Sequence, residues 1–211
     1  MNILKRRSKA EYTAKDVECL EKFISDEIGQ FDTVLHEMVS EREHIDIAIV
    51  EQPLFGTGTT LVTMGMGSNP MKTPRSIARE GKDRCELIMV MPDDWESSDE
   101  PGWQAQLLQM LAHYPFEEKT WLGLGHTLDL SGILPDDVPF GGVMIFPAQS
   151  KDYEFICFET ENKDTVYFHW VIPLYKEEIE LKLSDEDRFY ELMDKIDMPP
   201  TFDESRMSIL K

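Results

Sequence analysis

The chain has 211 residues and a net charge of −20, from 41 acidic and 21 basic side chains. This length suits one large domain, and a hydrophobic content of 41% is enough to form a sizeable core. The negative charge argues against binding to nucleic acid, whose phosphates require a basic surface, and against docking on anionic lipid.

A basic tail and an amphipathic helix are predicted first. Residues 1–12 are expected to form a basic N-terminal tail, and residues 13–211 a single domain. Thr13 and Asp16 have the spacing of a capping box, so a helix is predicted to begin there and to end near Gly29. Its apolar face recurs at spacings of three and four and consists of Val17, Leu20, Ile24, Ile28 and Phe31.

Three strands are predicted next, over residues 44–51, 59–66 and 84–92. The first strand alternates isoleucines with other residues, which is typical of a strand with one buried face. Pro53, Gly56 and Gly58 mark a turn, so the first two strands are expected to form a hairpin. Residues 68–74 contain two prolines and are predicted to be irregular.

The middle of the chain is predicted to contain a polar loop over residues 93–102 and a second helix over 103–115. Pro115 is expected to mark the end of this helix. The stretch TWLGLGHTL, residues 120–128, comes next. It is interpreted as a bent strand with apolar positions Trp121, Leu124 and Leu128, in which Gly123 and Gly125 permit the bend. We expect His126 to form hydrogen bonds with neighbouring backbone groups.

The last elements are strands over residues 141–148, 153–160 and 165–174, and a third helix that begins at Ser184 and ends at residues 198–200. Strands therefore cluster in the middle, with helices at both ends and one between. This order predicts an α+β fold with a central mixed, largely antiparallel sheet flanked by an N-terminal, a middle and a C-terminal helix.

The motifs of common enzyme and cofactor sites are missing from the sequence. Two short GxG elements do not complete GxGxxG, and the five histidines have no cysteine partner at zinc spacing. We therefore expect no cofactor, no metal and no enzymatic activity. The alternative left open is a small hydrolase that uses His126, His169 and carboxylates. Cys19, Cys85 and Cys157 are interpreted as small core residues in a reducing, cytoplasmic compartment, and no apolar run is long enough to span a membrane.

Charge is distributed unevenly along the chain. Residues 1–15 have a net charge of +4, whereas residues 91–140 contain ten acidic residues and one basic residue, a net charge of −9. Aromatic residues within an acidic rim are typical of protein interfaces. The alternative is that Trp95 and Trp103 pack the second helix onto the sheet, and this alternative is favoured for Trp103, which begins a helix face. The candidate partner-binding residues are Asp93, Asp94, Trp95, Glu96, Asp99, Glu100, Asp136 and Asp137.

A series of short blocks in this sequence resembles the suppressor of fused domain family. The blocks cover about residues 40–195, and they are HIDIAIVEQP, LVTMGMGSNPMKTP, RCELIMVMPDDW, LLQMLAHYPF, TWLGLGHTL, GGVMIFPA and VIPLYKEEIELKL. The structural motif residues in the fifth block are Trp121, Gly123, Gly125 and His126. The chain departs from the family at Gly67, where members more often have a serine.

The resemblance implies a mixed fold without known enzymatic activity. In animals, such a domain belongs to a cytoplasmic regulator that holds a transcription factor through an extended segment. Compact bacterial members resemble immunity proteins that neutralise toxins delivered between competing cells, and the short chain favours this type. The expected partner is a cognate protein toxin, for which a basic nuclease is the class considered, and the alternative is a regulatory or scaffold protein that binds an extended segment. The sequence leaves the oligomeric state open.

Overall fold

The computed structural model describes residues 11–40, 43–51, 53, 58–93, 95, 102–149, 154–195 and 200–211. Within these residues the chain forms five α-helices and eight strands. The helices are α1 (Ala14–Phe23), α2 (Arg75–Arg79), α3 (Trp103–Glu117), α4 (Lys176–Ser184) and α5 (Glu186–Lys195). The strands are β1 (Thr33–Leu35), β2 (Asp46–Val50), β3 (Thr60–Met64), β4 (Cys85–Val90), β5 (Thr127–Asp129), β6 (Gly142–Pro147), β7 (Cys157–Glu159) and β8 (Thr165–Leu174).

The strands form one mixed sheet in the order β1-β2-β3-β4-β8-β6-β5, and β7 pairs with β8 beside this path. Among the described strands, all neighbouring pairs are antiparallel except β4 and β8. The predicted α+β class with a largely antiparallel mixed sheet is therefore confirmed.

Helices cover both faces of this sheet. On one face, α3 packs over a core that includes Ile47, Leu61 and Leu87, whereas α1 covers the other face over Val62 and Ile88. Helices α4 and α5 extend the second layer over β6 and β8. Because both faces are buried, the alternation predicted for residues 44–51 does not separate a buried face from an exposed one.

The first helix agrees with its sequence signals. The Thr13 side chain accepts a hydrogen bond from the Asp16 backbone N–H, and the Asp16 carboxylate accepts one from Thr13, which completes the capping box. After α1, residues Ile24–Ile28 form a π-helical turn, and Gly29 follows it. The N-terminal helix and its predicted end are therefore confirmed. Residues 1–10 of the predicted basic tail lie outside the described residues.

Two predicted helix boundaries are wrong. Helix α3 continues through Pro115 to Glu117, because a proline removes only its own N–H donor and the Glu118 N–H still reaches the Tyr114 carbonyl at 3.0 Å. Ser184 ends α4 instead of beginning the last helix, and Asp185 caps α5 by accepting a hydrogen bond from the Arg188 N–H. The predicted end at residues 198–200 falls mostly outside the described residues.

The stretch 120–128 is mainly a turn, so the interpretation as a bent strand is wrong. Residues 121–126 have no strand structure, and β5 begins only at Thr127. A turn closes where the His126 N–H donates to the Gly123 carbonyl at 3.0 Å, with Gly125 at a φ of 78°. Leu124 is 61% exposed, so it is not a core position.

Several short helices and strands were not predicted, and some predicted strands are shorter in the structure than expected. β1 has three residues, α2 has five, and α4 follows β8 directly, so none of them presents a long periodic pattern. The strand predicted over 153–160 is reduced to β7. Cys19 is exposed, so its interpretation as a core residue is wrong, whereas Cys85 is buried.

The strand directions define two ends of the sheet that matter below. At the first, called the acidic end, β4 ends at Val90, β6 begins at Gly142 and β8 ends at Leu174. At the opposite end, called the cleft end, β4 begins, β6 ends and β8 begins. Asp93, which follows β4, and the loop before β6 therefore both lie at the acidic end.

Candidate functional site

Three exposed carboxylates mark the acidic end. Asp93 follows β4, and Asp136 and Asp137 lie in the loop that precedes β6. Trp95 is partly buried and packs against the core on the α3 side. The other candidate residues, Asp94, Glu96, Asp99 and Glu100, lie outside the described residues.

An aromatic cluster also lies at the acidic end. The ring of Phe202 packs edge-on against Trp103 and Phe140, with centroid distances of 6.3 and 5.9 Å. Trp103 is the first residue of α3, and Phe140 lies two residues before β6, so Phe202 contacts the starts of both elements. Trp103 therefore helps to pack α3, which is the structural alternative considered for it from the sequence.

A buried ion pair ties the C-terminal segment to this cluster. Arg206 holds Glu178 through two hydrogen bonds of 2.8 Å, one to each carboxylate oxygen. Glu178 also accepts hydrogen bonds from the Tyr175 and Ile209 backbone N–H groups, and the Arg206 guanidinium stacks 4.8 Å from the Tyr175 ring. This network makes the base of the acidic end rigid, because a buried charge pair with all these donors has little freedom to move.

At the cleft end, the turn that contains Trp121, Gly123, Gly125 and His126 is closely packed. The Trp121 and His126 rings meet at a centroid distance of 4.2 Å. A Cβ atom on Gly123 would lie 2.3 Å from Cζ3 of Trp121, so only glycine allows the indole to fold over this position. The Gly125 carbonyl accepts a hydrogen bond of 2.8 Å from Lys182. The two glycines therefore serve close packing and a turn.

Two histidines near this turn are held neutral. Burial lowers the pKa of His126, a backbone hydrogen bond with Trp121 partly offsets this effect, and the Lys182 charge adds to it. The predicted hydrogen bonding of His126 with neighbouring backbone is thus present. Burial also lowers the pKa of His169 from its ordinary value of 6.5 to about 4, against a smaller opposing effect of the Phe168 backbone.

Among the residues that the structure describes, no catalytic group is assembled around His126 and His169. Within the described part of the chain, no carboxylate or nucleophilic side chain forms a hydrogen bond with either ring, so the arrangement that the hydrolase alternative requires is not found there. Burial raises the pKa of the Cys157 thiol, which disfavours its reactive thiolate form.

Three other histidines pair with carboxylates near the start of β2. Asp46 contacts Nδ1 of His36 at 2.9 Å and Nε2 of His44 at 3.0 Å, and Glu37 contacts Nε2 of His113 at 2.9 Å. Glu37 and His113 are 76 positions apart, so that pair could not be read from the sequence. No group of three or more ligand side chains that could hold a metal ion occurs among the described residues.

A buried glutamate, Glu86, organises the GMGS turn, residues 65–68. Its role was not predicted from the sequence. Glu86 accepts hydrogen bonds from the Thr63 hydroxyl, the Tyr12 hydroxyl and the Gly65 and Gly67 N–H groups. Burial raises its pKa, and these four hydrogen bonds lower it. A lone acid in the apolar strand RCELIMVMP, opposite a glycine-rich turn, was the available signal.

One family profile matches most of the chain. The profile described as "Suppressor of fused protein (SUFU)" matches residues 41–206. No match was found among curated proteins. No helix in the described part of the chain is long and apolar enough to cross a membrane.

Solved structures of similar fold span most of the chain. The chain of a Sufu-Fu complex superposes with a TM-score of 0.60 at 12% identity, and 92% of each chain is covered. A suppressor of fused homologue from Neisseria gonorrhoeae FA 1090 superposes with a TM-score of 0.60 at 18% identity, which covers 94% of this chain and 96% of that one. At these identities the likeness shows the fold.

Proposed function

Because the chain belongs to the suppressor of fused family, we propose that it is a non-enzymatic protein-binding domain that acts as an immunity protein and neutralises a cognate toxin. The partner-binding surface in this proposal is the acidic end. It comprises the described Asp93, Trp95, Asp136 and Asp137, together with the sequence-based candidates Asp94, Glu96, Asp99 and Glu100.

The observation that carries the proposal is the pairing of exposed carboxylates with a rigid base. Asp136 and Asp137 lie in the loop before β6, and Phe140 of the same loop packs into the aromatic cluster around Phe202. A surface that is fixed before binding loses less conformational entropy when it meets its partner. Exposed charge on such a surface favours fast association with a partner of opposite charge.

The expected toxin carries a basic surface. A net charge of −20 attracts a basic protein at long range, and a nuclease needs basic residues to bind its phosphate substrate. An acidic inhibitor seated in such a cleft would exclude the nucleic acid. The proposal places this activity in the cytoplasm.

The first experiment tests neutralisation directly. The product of the neighbouring reading frame is expressed in a bacterial host with and without this chain, and growth is followed. We expect that product alone to stop growth, and co-expression to restore growth and to yield a complex that co-purifies. A product without toxicity, or toxicity that this chain does not relieve, contradicts the immunity role.

The second experiment locates the contact surface. Reversal of both Asp136 and Asp137 to lysine should lower the association rate with the toxin about tenfold at low salt, and this difference should shrink at high salt. The matched control is Glu18→Lys with Glu21→Lys, which makes the same change in net charge on exposed positions of α1. Equal effects of the two pairs would mean that total charge, not the acidic end, governs association.

A regulatory role through an extended segment is the second candidate. It is favoured by the similarity to the Sufu-Fu structure, in which a protein of this fold is solved in a complex with Fu. Co-purification separates the two roles, because a regulator binds its partner without relieving toxicity.

A further inference from the structure

An apolar cleft lies at the cleft end of the sheet, on the face that α3 covers. Its volume is about 270 Å³. Tyr167 and His169 of β8 line it from the sheet, and Trp121, Leu124 and Phe155 line it from loops. Because burial keeps His169 neutral near pH 7, the sheet residues of the cleft carry no formal charge.

Leu124 is held in the open by a fixed backbone. It is 61% exposed although it is a large apolar residue. The turn around it is closed by the hydrogen bond from His126 to Gly123, and the Gly125 N–H donates to the Ile145 carbonyl of β6 at 2.8 Å. The exposed leucine is therefore part of a rigid rim.

Phe155 forms a second exposed apolar position on the same cleft. It is 53% exposed, and its backbone pairs with Gln149 in an isolated antiparallel bridge. The next residue, Ile156, donates a hydrogen bond of 3.0 Å to the Ala148 carbonyl. Two large apolar side chains on fixed backbones at one cleft favour burial against another molecule, because their exposure to water is unfavourable.

The volume of the cleft limits what can occupy it. Pockets for drug-sized ligands usually enclose about 300–1,000 Å³, and this cleft is smaller and open to solvent. One large apolar side chain fits it, and the exposed rim then covers the neighbouring backbone. A protruding protein segment suits this geometry better than a free small molecule.

The charge beside the cleft indicates the flanking residues of that segment. Residues 72–84 contain five basic and two acidic side chains, a net charge of +3 in a chain of −20. Lys82 lines the cleft and pairs with Glu80 at 2.8 Å. Arg75 and Arg79 are exposed on α2, and no ion pair holds them within the described residues. Glu154 adjoins Phe155, so the attraction for an acid is confined to the Lys82 side.

We propose that this cleft binds an extended protein segment in which one large apolar side chain enters between Leu124 and Phe155 and an adjacent Asp or Glu faces Lys82. The site is separate from the acidic end, since it is formed by residues at the opposite end of β8. The cleft attracts a negatively charged residue, whereas the acidic end attracts a positively charged surface. One chain can therefore hold a basic surface at one end and an acidic segment at the other.

A display selection tests the proposal although the partner is unidentified. A random library of nine-residue peptides is selected on the full chain and on the variants Leu124→Asp and Ile133→Asp. Ile133 is the matched control because it is 57% exposed and lies in the loop of the acidic end. We expect a set of peptides that is lost on Leu124→Asp and retained on Ile133→Asp, and that shares an apolar residue beside Asp or Glu.

The most enriched peptide is then synthesised, and its affinity is measured by fluorescence anisotropy. Replacement of its apolar residue by alanine, and Lys82→Glu in the protein, should each weaken binding at least tenfold. Lys195→Glu, an exposed position on α5, is the control for net charge. Phe155→Asp serves as a second rim variant, and urea unfolding confirms that each variant is folded.

Three outcomes overturn the proposal. The first is that no peptides depend on Leu124. The second is that the dependent peptides lack an acidic neighbour or carry basic ones. The third is equal loss of binding on Leu124→Asp and Ile133→Asp in folded protein. None of these outcomes bears on toxin neutralisation, which the reversal of Asp136 and Asp137 tests separately.

Discussion

The two ends of the central sheet share strands β4, β6 and β8 but present different chemistry. The acidic end exposes carboxylates on loops above a cluster of aromatic rings and a buried ion pair. The cleft end exposes Leu124 and Phe155 on hydrogen-bonded backbone beside a basic helix. Exposed charge acts over about 10 Å at ordinary ionic strength, whereas apolar burial acts only on contact.

This difference indicates a division of roles between the ends. A charged rim on a rigid base favours rapid encounter with a basic surface, and affinity there should depend strongly on salt. A preformed apolar cleft favours slow release of a bound side chain, and affinity there should depend less on salt. The residues that stabilise the two ends also differ, so substitutions can disrupt each end separately.

Removal of the guanidinium beneath the acidic end should have the largest effect. Arg206→Ala leaves the fully buried Glu178 without its charge partner, which should lower the free energy of unfolding by about 3–5 kcal/mol. Urea denaturation measures this loss. Arg188→Ala, which removes an exposed pair with Glu191, should cost less than about 1 kcal/mol. Similar losses for the two variants would show that the Arg206 network does not support the acidic end.

The cleft end should respond to acid through His169. In the unfolded chain this histidine takes up a proton below pH 6.5, whereas the folded chain resists protonation down to about pH 4. Stability should therefore fall as the pH drops from about 6.5 to 4. The total loss is on the order of 3 kcal/mol, at about 1.4 kcal/mol for each pH unit between the two pKa values.

Comparison with His169→Gln isolates this contribution. Urea unfolding of both proteins between pH 7 and pH 4.5 should give a steeper decline for the histidine protein. The raised pKa of Glu86 acts in the opposite direction in both proteins, so it cancels in the comparison. Parallel pH profiles would mean that His169 is protonated as easily in the folded chain as in the unfolded one.

Crowding at the GMGS turn should have the next largest effect. A Cβ atom on Gly67 would lie 2.4 Å from Cγ1 of Val166 and 2.5 Å from the Tyr12 hydroxyl. Gly67→Ala should therefore cost about 1–3 kcal/mol in the free energy of unfolding. Combination with Val166→Ala should recover part of that loss, whereas additive losses in the double variant would exclude a clash with Val166.

The smallest expected loss of stability comes from replacing one glycine at each end of the sheet. Gly125 has a φ of 78° and Gly132, in the loop of the acidic end, has a φ of 80°. Each glycine-to-alanine change should cost about 1 kcal/mol from backbone strain. A Cβ atom on Gly125 would also lie 3.3 Å from the Tyr190 hydroxyl, while one on Gly132 meets no atom within 4 Å. Thermal unfolding should therefore show the greater loss for Gly125→Ala, and the reverse order would contradict the close packing of this turn.

Long periodic segments could be predicted from the sequence, and the errors concentrate where periodicity is short. Helix α1 and strand β8 were predictable because many residues in each repeat one pattern. The three residues of β1 and five of α2 offer too little pattern to detect. TWLGLGHTL was mistaken for a strand because alternating glycines imitate the two-residue period of a strand, whereas the Gly125 backbone produces a turn.

The candidate acidic residues could be chosen from composition, because charge density is visible without coordinates. Their common base could not, since Phe202 joins Trp103 and Phe140 from the far end of the chain. The pair of His113 with Glu37 was likewise invisible, because it depends on where α3 packs.

The sequence by itself determined the α+β class, the excess of negative charge and the acidic segments, because these properties depend on local pattern and composition. Only the tertiary structure decided that acidic loops gather at one end of β8 and that Leu124, Phe155 and Lys82 meet at the other. That arrangement follows from the parallel pairing of β4 with β8 and the antiparallel pairing of β6 with β8. Such contacts join residues far apart in the chain, and no local pattern encodes them.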